Sequence, residues 1–187
     1  MEQIGLAFTV DGDVREDVMP AVGEPHQLAR EASLRKARSV VGRPAYHSSG
    51  GAAVRHPDAI IIAADTIGVI DGRILGKPHS PDEARAMLRV ISGQRHSVIT
   101  GFTILDTATG RTLSQSVETG VYIKQLTPAE IDAYVKTGEP LDKAGAYAIQ
   151  GRGAAIVERI EGDYANVVGL PLSALAEALK DFGVNVL

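Results

Sequence analysis

Ala59-Ile60-Ile61-Ile62-Ala63-Ala64-Asp65-Thr66 is a run of small and β-branched residues that ends on a carboxylate, and Lys77 follows it in the turn Leu75-Gly76-Lys77-Pro78. A continuous apolar run without polar alternation predicts a strand buried on both faces, and in an open α/β sheet ligands bind beyond the carboxyl ends of such strands. Asp65 is therefore expected at a strand end where chemistry is done, although Asp also ends strands for local hydrogen-bonding reasons alone.

Working outward, Ser80-Pro81-Asp82-Glu83 predicts a helix start. Ser80 can cap, Pro81 suits the first helical position and Glu83 completes a capping box, with Ala84, Met87, Leu88 and Ile91 as the buried face. Thr127-Pro128-Ala129-Glu130 repeats the device ahead of Ile131, Tyr134 and Val135, with Gly138 at the far end. Between these helices, residues 97–105 and 112–126 are β-rich and joined by Thr107-Ala108-Thr109-Gly110-Arg111, which suits an antiparallel hairpin whose second strand is long enough to bend or bulge. A further strand is expected over 154–160, a turn at Gly162-Asp163, and a closing helix over 172–182 with Leu175, Leu179 and Phe182 inward and Gly183 as its stop.

Upstream, residues 26–41 carry Leu28, Ala32, Ala37 and Val40 among basic residues and predict a helix stopped by Gly42 and Pro44. Residues 43–55 read as a surface insertion, 11–22 as a polar loop with Arg15, Glu16 and Asp17, and 6–10 as a short strand. Met1 to Gly5 reads as the last turn of a helix closed by its glycine, too short to form a helix alone, so the N-terminus is expected to be truncated. Helical crossovers alternating with hairpins imply an α/β fold with a mixed, curved sheet and flanking helices.

The chain has 187 residues and 44% hydrophobic content, enough for one domain spanning 1–187 with a sizeable core. A net charge of −4, from 19 basic and 23 acidic residues, lacks the footprint of a protein that coats nucleic acid, while leaving room for a small anion held by placed cations. With no cysteine, thiolate zinc sites and cysteine nucleophiles are excluded. No apolar run approaches a membrane span and no charged-then-apolar leader opens the chain, so a soluble cytoplasmic protein is the expectation. The five histidines show no metal-ligand spacing, and surface or capping roles are expected for each.

Chemistry rests on four candidate groups: Glu16 with Asp17, Lys36 on the first predicted helix, Asp65 with Thr66, and Lys77. Separated carboxylates plus lysines are what a metal-dependent attack on a polyphosphate needs, because hard oxygens hold Mg²⁺, lysines neutralise phosphate and a carboxylate can take a proton from water. Taken singly, each also suits a solvated loop or helix position. The glycine-rich Gly145-Ala146-Tyr147-Ala148-Ile149-Gln150-Gly151-Arg152-Gly153 either lets backbone approach a ligand or turns the chain; no P-loop and no dinucleotide fingerprint occurs.

The combination Ala64-Asp65-Thr66, Leu75-Gly76-Lys77-Pro78, Ile91-Ser92-Gly93-Gln94-Arg95-His96-Ser97-Val98, Leu141-Asp142-Lys143-Ala144-Gly145-Ala146-Tyr147 with Ile149-Gln150-Gly151, and Gly162-Asp163-Tyr164 with Val168-Gly169-Leu170-Pro171 resembles the Maf family of nucleoside triphosphate pyrophosphatases. The blocks stand in family order across nearly the whole chain. The resemblance implies a fold like that of the inosine triphosphate pyrophosphatases, with two lobes around a cleft. It also implies hydrolysis of a nucleoside triphosphate to the monophosphate and pyrophosphate by water attack on the α-phosphorus, assisted by Mg²⁺ or alternatively Mn²⁺ or Co²⁺.

On matching positions, Asp65 corresponds to the catalytic acid-base residue. Glu16, with Asp17 as the fallback, corresponds to the acidic residue that shares the metal with Asp65. Lys36 and Lys77 correspond to phosphate-contacting lysines, and Thr66 and Gln150 match positions linked to a preference for dTTP and UTP. One amide at Gln150 offers a donor for O4 and an acceptor for N3–H of uracil or thymine.

The family's N-terminal Ser-x-Ser-Pro-Arg-Arg loop has no counterpart in this chain, so weakened activity and stability are expected. The rival reading is a nucleotide-binding regulatory protein with little turnover, since the family has been linked to arrest of septum formation and cell division. A pyrophosphatase of purine substrates is a weaker third. The expected partner is a nucleotide, with neither nucleic acid nor membrane, and a homodimer is left open.

Overall fold

The computed structural model describes residues 1–10, 23–41 and 58–187; Glu16, Asp17, the 11–22 loop and the 43–55 insertion therefore lie outside the described residues. Strands β1 (Ile60–Ile70), β2 (Arg73–Leu75), β3 (Arg95–Asp106), β4 (Thr112–Ile123) and β5 (Val157–Glu161) form one sheet in the order β2-β1-β3-β4-β5. Helices α1 (Pro25–Val40), α2 (Pro81–Ile91), α3 (Pro128–Val135), α4 (Tyr164–Val168) and α5 (Leu172–Lys180) flank it. No helix among the described residues is long and apolar enough to cross a membrane.

Every pairing among the described strands is antiparallel, which corrects the expected mixed sheet. The reason lies in the placement of β1. Helix α2 links β2 to β3, two strands that run in the same direction, but β1 lies between them and opposes both. The crossover therefore creates no adjacent parallel pair.

The apolar run also behaves differently from expectation. Strand β1 does not stop at Asp65 but continues through Ile67, Val69 and Ile70, so Asp65 stands mid-strand opposite Gly101. Its first seven residues are half-buried, because β3 flanks one side while β2 pairs only with Gly68, Val69 and Ile70 on the other. Among the described residues, the edge of β1 from Ile60 to Ile67 is open.

The capping devices act locally and hold. Ser80 accepts the Glu83 N–H at 3.1 Å, although the Glu83 carboxylate takes the His79 N–H at 2.7 Å rather than that of Ser80. The Thr127–Glu130 box is complete in both directions. Helix α1 is capped by a signal the sequence reading passed over: the Glu24 carboxylate accepts from the N–H groups of His26 and Gln27, with Pro25 at the first position. Gly5 closes a short 3-10 turn (Glu2–Ile4) with φ 72°. Residues 6–10 form no strand and are not hydrogen-bonded into the described sheet; Leu6 instead packs against the cluster of Phe102, Ile104, Leu175 and Leu179.

Successive residues of a strand face opposite sides, and the two sides of this sheet are packed differently. On one side, Ala29 of α1 packs against Ile67 and Ile99. A Cβ at Gly101 would lie 2.2 Å from the backbone of Ala29, so this glycine is what lets α1 lie on the sheet. On the other side, Leu88, Ile91, Val98, Val121 and Ile131 form one apolar cluster, and Phe102, Ile104, Leu175 and Leu179 form a second.

A hydrogen-bonded seam on the second side includes Thr66, Thr100, Thr119 and Asn166, three of them fully buried. Thr66 and Thr100 share a 2.8 Å bond, and Thr100 donates to the Asn166 carbonyl at 2.9 Å. The Asn166 amide donates to Val98 O and Thr119 Oγ1, both at 3.0 Å. These bonds use both N–H groups of the Asn166 amide, while its buried Oδ1 has no hydrogen-bond partner among the described residues. Here they fasten α4 to the sheet.

Candidate functional site

A cavity of about 410 Å³ is lined by Lys36, Asp65, Thr66, Lys77, His96, Asp142, Lys143, Tyr147 and Gln150, with Val167 and Val168 of α4. Asp65 and Thr66 are neighbours on a strand and point to opposite faces, yet both line it, because its lining includes the open edge of β1.

Asp65 faces α1. Lys36 lies seven residues beyond Ala29, two turns along the same helix face, and the close seat of α1 over Gly101 carries it to the strand. Its Nζ forms an ion pair with Asp65 Oδ1 and lies 3.5 Å from the Ala64 carbonyl. Both side chains are partly buried, 26% and 17% exposed, which screens the pair less than an open surface would.

Lys77 follows β2, in a loop held where Gly145 donates its N–H to the Gly76 carbonyl at 3.0 Å. Sequence reasoning missed the wall beside it. Lys143 donates to Asp142 at 2.7 Å, and this bond holds the Asp142 carboxyl below the usual carboxylate range, with the charge of Lys77 acting in the same direction. Lys36, Lys77 and Lys143 against Asp65 and Asp142 leave the described lining with one excess positive charge. That balance suits an anion. Asp142 and Lys143 stood in one of the blocks that carry the family resemblance, but no role was assigned to either.

His96 corrects the expectation of surface or capping roles for every histidine. It is 2% exposed, and its Nε2 lies 2.8 Å from the Tyr147 hydroxyl with the rings edge to face. Desolvation, aided by the charge of Arg95, lowers its pKa from about 6.5 to about 4, so the ring is neutral near pH 7. Tyr147 is buried and its pKa is raised, by desolvation first. It follows Gly145 and Ala146, both with positive φ (75° and 61°), a tight turn that begins the segment carrying Gln150. Of the remaining histidines, His26 bridges Ser116 and Glu118 at the surface, and His47 and His56 lie outside the described residues.

Gln150 is exposed and precedes a 3-10 turn (Gly151–Ala155) without capping it through its side chain. The structure thus brings together Lys36, Asp65, Thr66, Lys77 and Gln150 around one cavity. Glu16 lies outside the described residues. Among the described residues no three His, Asp or Glu side chains cluster as a metal cage. Asp65 offers the hard carboxylate oxygen that a cation such as Mg²⁺ takes, but its lysine neighbours oppose a cation, so the negative charge of bound substrate phosphates would have to complete such a site.

The family model described as "Maf-like protein" matches residues 1–182. The dTTP/UTP pyrophosphatase of Methanosarcina barkeri is 47% identical over 184 residues, covering 98% of this chain and 87% of the relative. That of Pelotomaculum thermopropionicum is 42% identical over 187 residues, covering 100% and 92%. That of Alkaliphilus metalliredigens is 56% identical over 131 residues, covering 70% and 68%.

Proposed function

The chain belongs to the Maf family, and from that premise we propose that it is a dTTP/UTP pyrophosphatase, hydrolysing these nucleotides to the monophosphate and pyrophosphate. The observation that carries the reading onto particular residues is the Lys36–Asp65 ion pair at a cavity that Thr66, Lys77 and Gln150 also line.

In the proposed reaction a water oxygen attacks the α-phosphorus and Asp65 takes the proton it releases. The bond from that phosphorus to the bridging oxygen breaks, and pyrophosphate leaves with the electron pair. Lys36 and Lys77 stabilise the charge that gathers on the phosphate oxygens, the kind of fixed electrostatic help phosphoryl transfer depends on. Asp65 and Glu16 would hold Mg²⁺, or alternatively Mn²⁺ or Co²⁺, which when bound supplies charge neutralisation to the triphosphate. The Gln150 amide reads O4 and N3–H of the pyrimidine, and Thr66 also lines the cavity.

The test is pyrophosphate release by the purified chain with Mg²⁺ across dTTP, UTP, CTP, GTP and inosine triphosphate. Release confined to dTTP and UTP is expected. Equal turnover of CTP or of the purines would overturn the pyrimidine preference. No release from any nucleotide by the folded chain would favour the regulatory reading over the enzyme.

A further inference from the structure

Gln150 occupies the position before a helical turn whose second and third N–H groups, those of Arg152 and Gly153, ordinarily take their acceptor from the side chain at that position. Here they take it from elsewhere. The Glu139 carboxylate, eleven residues upstream, accepts the Arg152 N–H through Oε2 at 3.0 Å and the Gly153 N–H through Oε1 at 2.8 Å. Oε1 also accepts the Tyr134 hydroxyl at 2.8 Å, and Tyr134 in turn accepts the Ala148 N–H at 3.1 Å.

The arrangement has room only because of two glycines. A Cβ at Gly151 would stand 2.6 Å from Glu139 Oε2, and one at Gly153 would stand 2.1 Å from the Ala148 carbonyl oxygen. Glu139 is itself anchored: Gly138 precedes it with φ 76°, and its N–H donates to Thr137 Oγ1 at 3.1 Å. Desolvation raises the Glu139 pKa, but the hydrogen bonds from Arg152, Tyr134 and Gly153 outweigh it and the net shift is downward. A carboxylate fixed this well holds the start of the turn that follows Gln150, a position whose own side chain makes no cap hydrogen bond.

We infer that Glu139 is a positioning residue for nucleobase selection: by holding the Arg152 and Gly153 N–H groups of the turn after Gln150, it fixes the backbone from which the Gln150 amide extends toward the base. The inference rests on the dTTP/UTP reading of the cavity. It goes beyond that reading by placing part of the selectivity in a residue outside the cavity lining.

The experiment measures kcat and KM for dTTP and CTP in the wild-type chain, Gln150→Ala, Glu139→Ala, Glu139→Gln and the Glu139→Ala/Gln150→Ala double variant. Glu139→Ala is expected to lower the dTTP-to-CTP ratio of kcat/KM by roughly tenfold, the size of one lost hydrogen bond in a reading site, chiefly through a raised KM for dTTP. Glu139→Gln keeps one acceptor oxygen and should fall between, which also covers the case in which Glu139→Ala does not fold. The double variant should discriminate no worse than Gln150→Ala alone, because both changes act on one amide.

A purely structural role would depress dTTP and CTP turnover by the same factor. An unchanged ratio in the folded variants would therefore overturn the inference while leaving the enzyme reading intact. A wild-type chain with no preference for dTTP over CTP would overturn the dTTP/UTP reading, and this inference with it.

Discussion

Lys36 and Asp65 stand 29 positions apart and meet because a glycine on β3 lets a helix lie close to the sheet. Replacing Lys36 by Met keeps the aliphatic stem and removes the charge. It should cost on the order of 10²-fold in kcat for dTTP, the usual scale for one electrostatic contact in such a reaction, with little change in melting temperature. Steady-state kinetics and a thermal melt on the same preparation check both halves.

His96 gives a pH prediction. Its ordinary pKa near 6.5 falls to about 4 in the folded chain, so between these values the unfolded chain holds a proton there that the folded chain does not. Stability then rises with pH across that window and is lost as pH falls toward 4, by up to roughly 3 kcal/mol. Denaturant unfolding from pH 4.5 to 7 should show a shallower pH slope in His96→Gln than in the wild type. Equal slopes would contradict the assignment. At this scale the sequence was only partly legible: the strand was expected from residue 97, and its actual start at Arg95 is what puts His96 on the same inward face as Val98. Nothing local could announce the Lys36–Asp65 pair, and those roles came from the family resemblance.

At the scale of elements, Gly101 decides where α1 sits. Gly101→Ala would drive a Cβ to 2.2 Å from the Ala29 backbone, so the helix must shift and take Lys36 with it. A loss of about 2–3 kcal/mol in unfolding free energy is expected, together with a fall in turnover, measured by denaturant titration and pyrophosphate release. A stable, active Gly101→Ala chain would mean that α1 does not lie this close.

Helix starts were legible because capping is local chemistry: Ser80-Pro81 and Thr127-Pro128 announce α2 and α3 within four residues. Strand ends were less so. Asp65 resembles a turn residue, and only the sheet shows that a mid-strand carboxylate is tolerable where the opposite residue is glycine and a lysine supplies the counter-charge. The antiparallel β3–β4 pair was legible from its hairpin turn, but the pairing around α2 was not, because a helical crossover looks the same in sequence whether its two strands pair directly or are parted by a third.

Across the whole molecule, the cavity draws its lining from α1, β1, the loops around Lys77 and Gln150, and α4. A nucleotide seated there should therefore stabilise the fold as a unit. A non-hydrolysable dTTP analogue with Mg²⁺ at about 100 times its Kd should add roughly 2.7 kcal/mol, a rise of a few degrees in Tm. A chelator should remove most of that rise; a rise indifferent to the chelator would argue against a cation joining Asp65 to the phosphates.

In the reaction proposed for dTTP and UTP, Asp65, ion-paired with Lys36 at the open edge of β1, takes the proton from the attacking water. The most direct test is kcat/KM for dTTP with Mg²⁺ in the wild-type chain and in Asp65→Asn, with Tm measured on both. A fall of at least about 10³-fold in a variant that melts within a few degrees of the wild type is predicted, since a lost general base that also holds the cation removes two contributions at once. Retention of wild-type turnover by a folded Asp65→Asn chain would contradict the claim and move the reaction to another site.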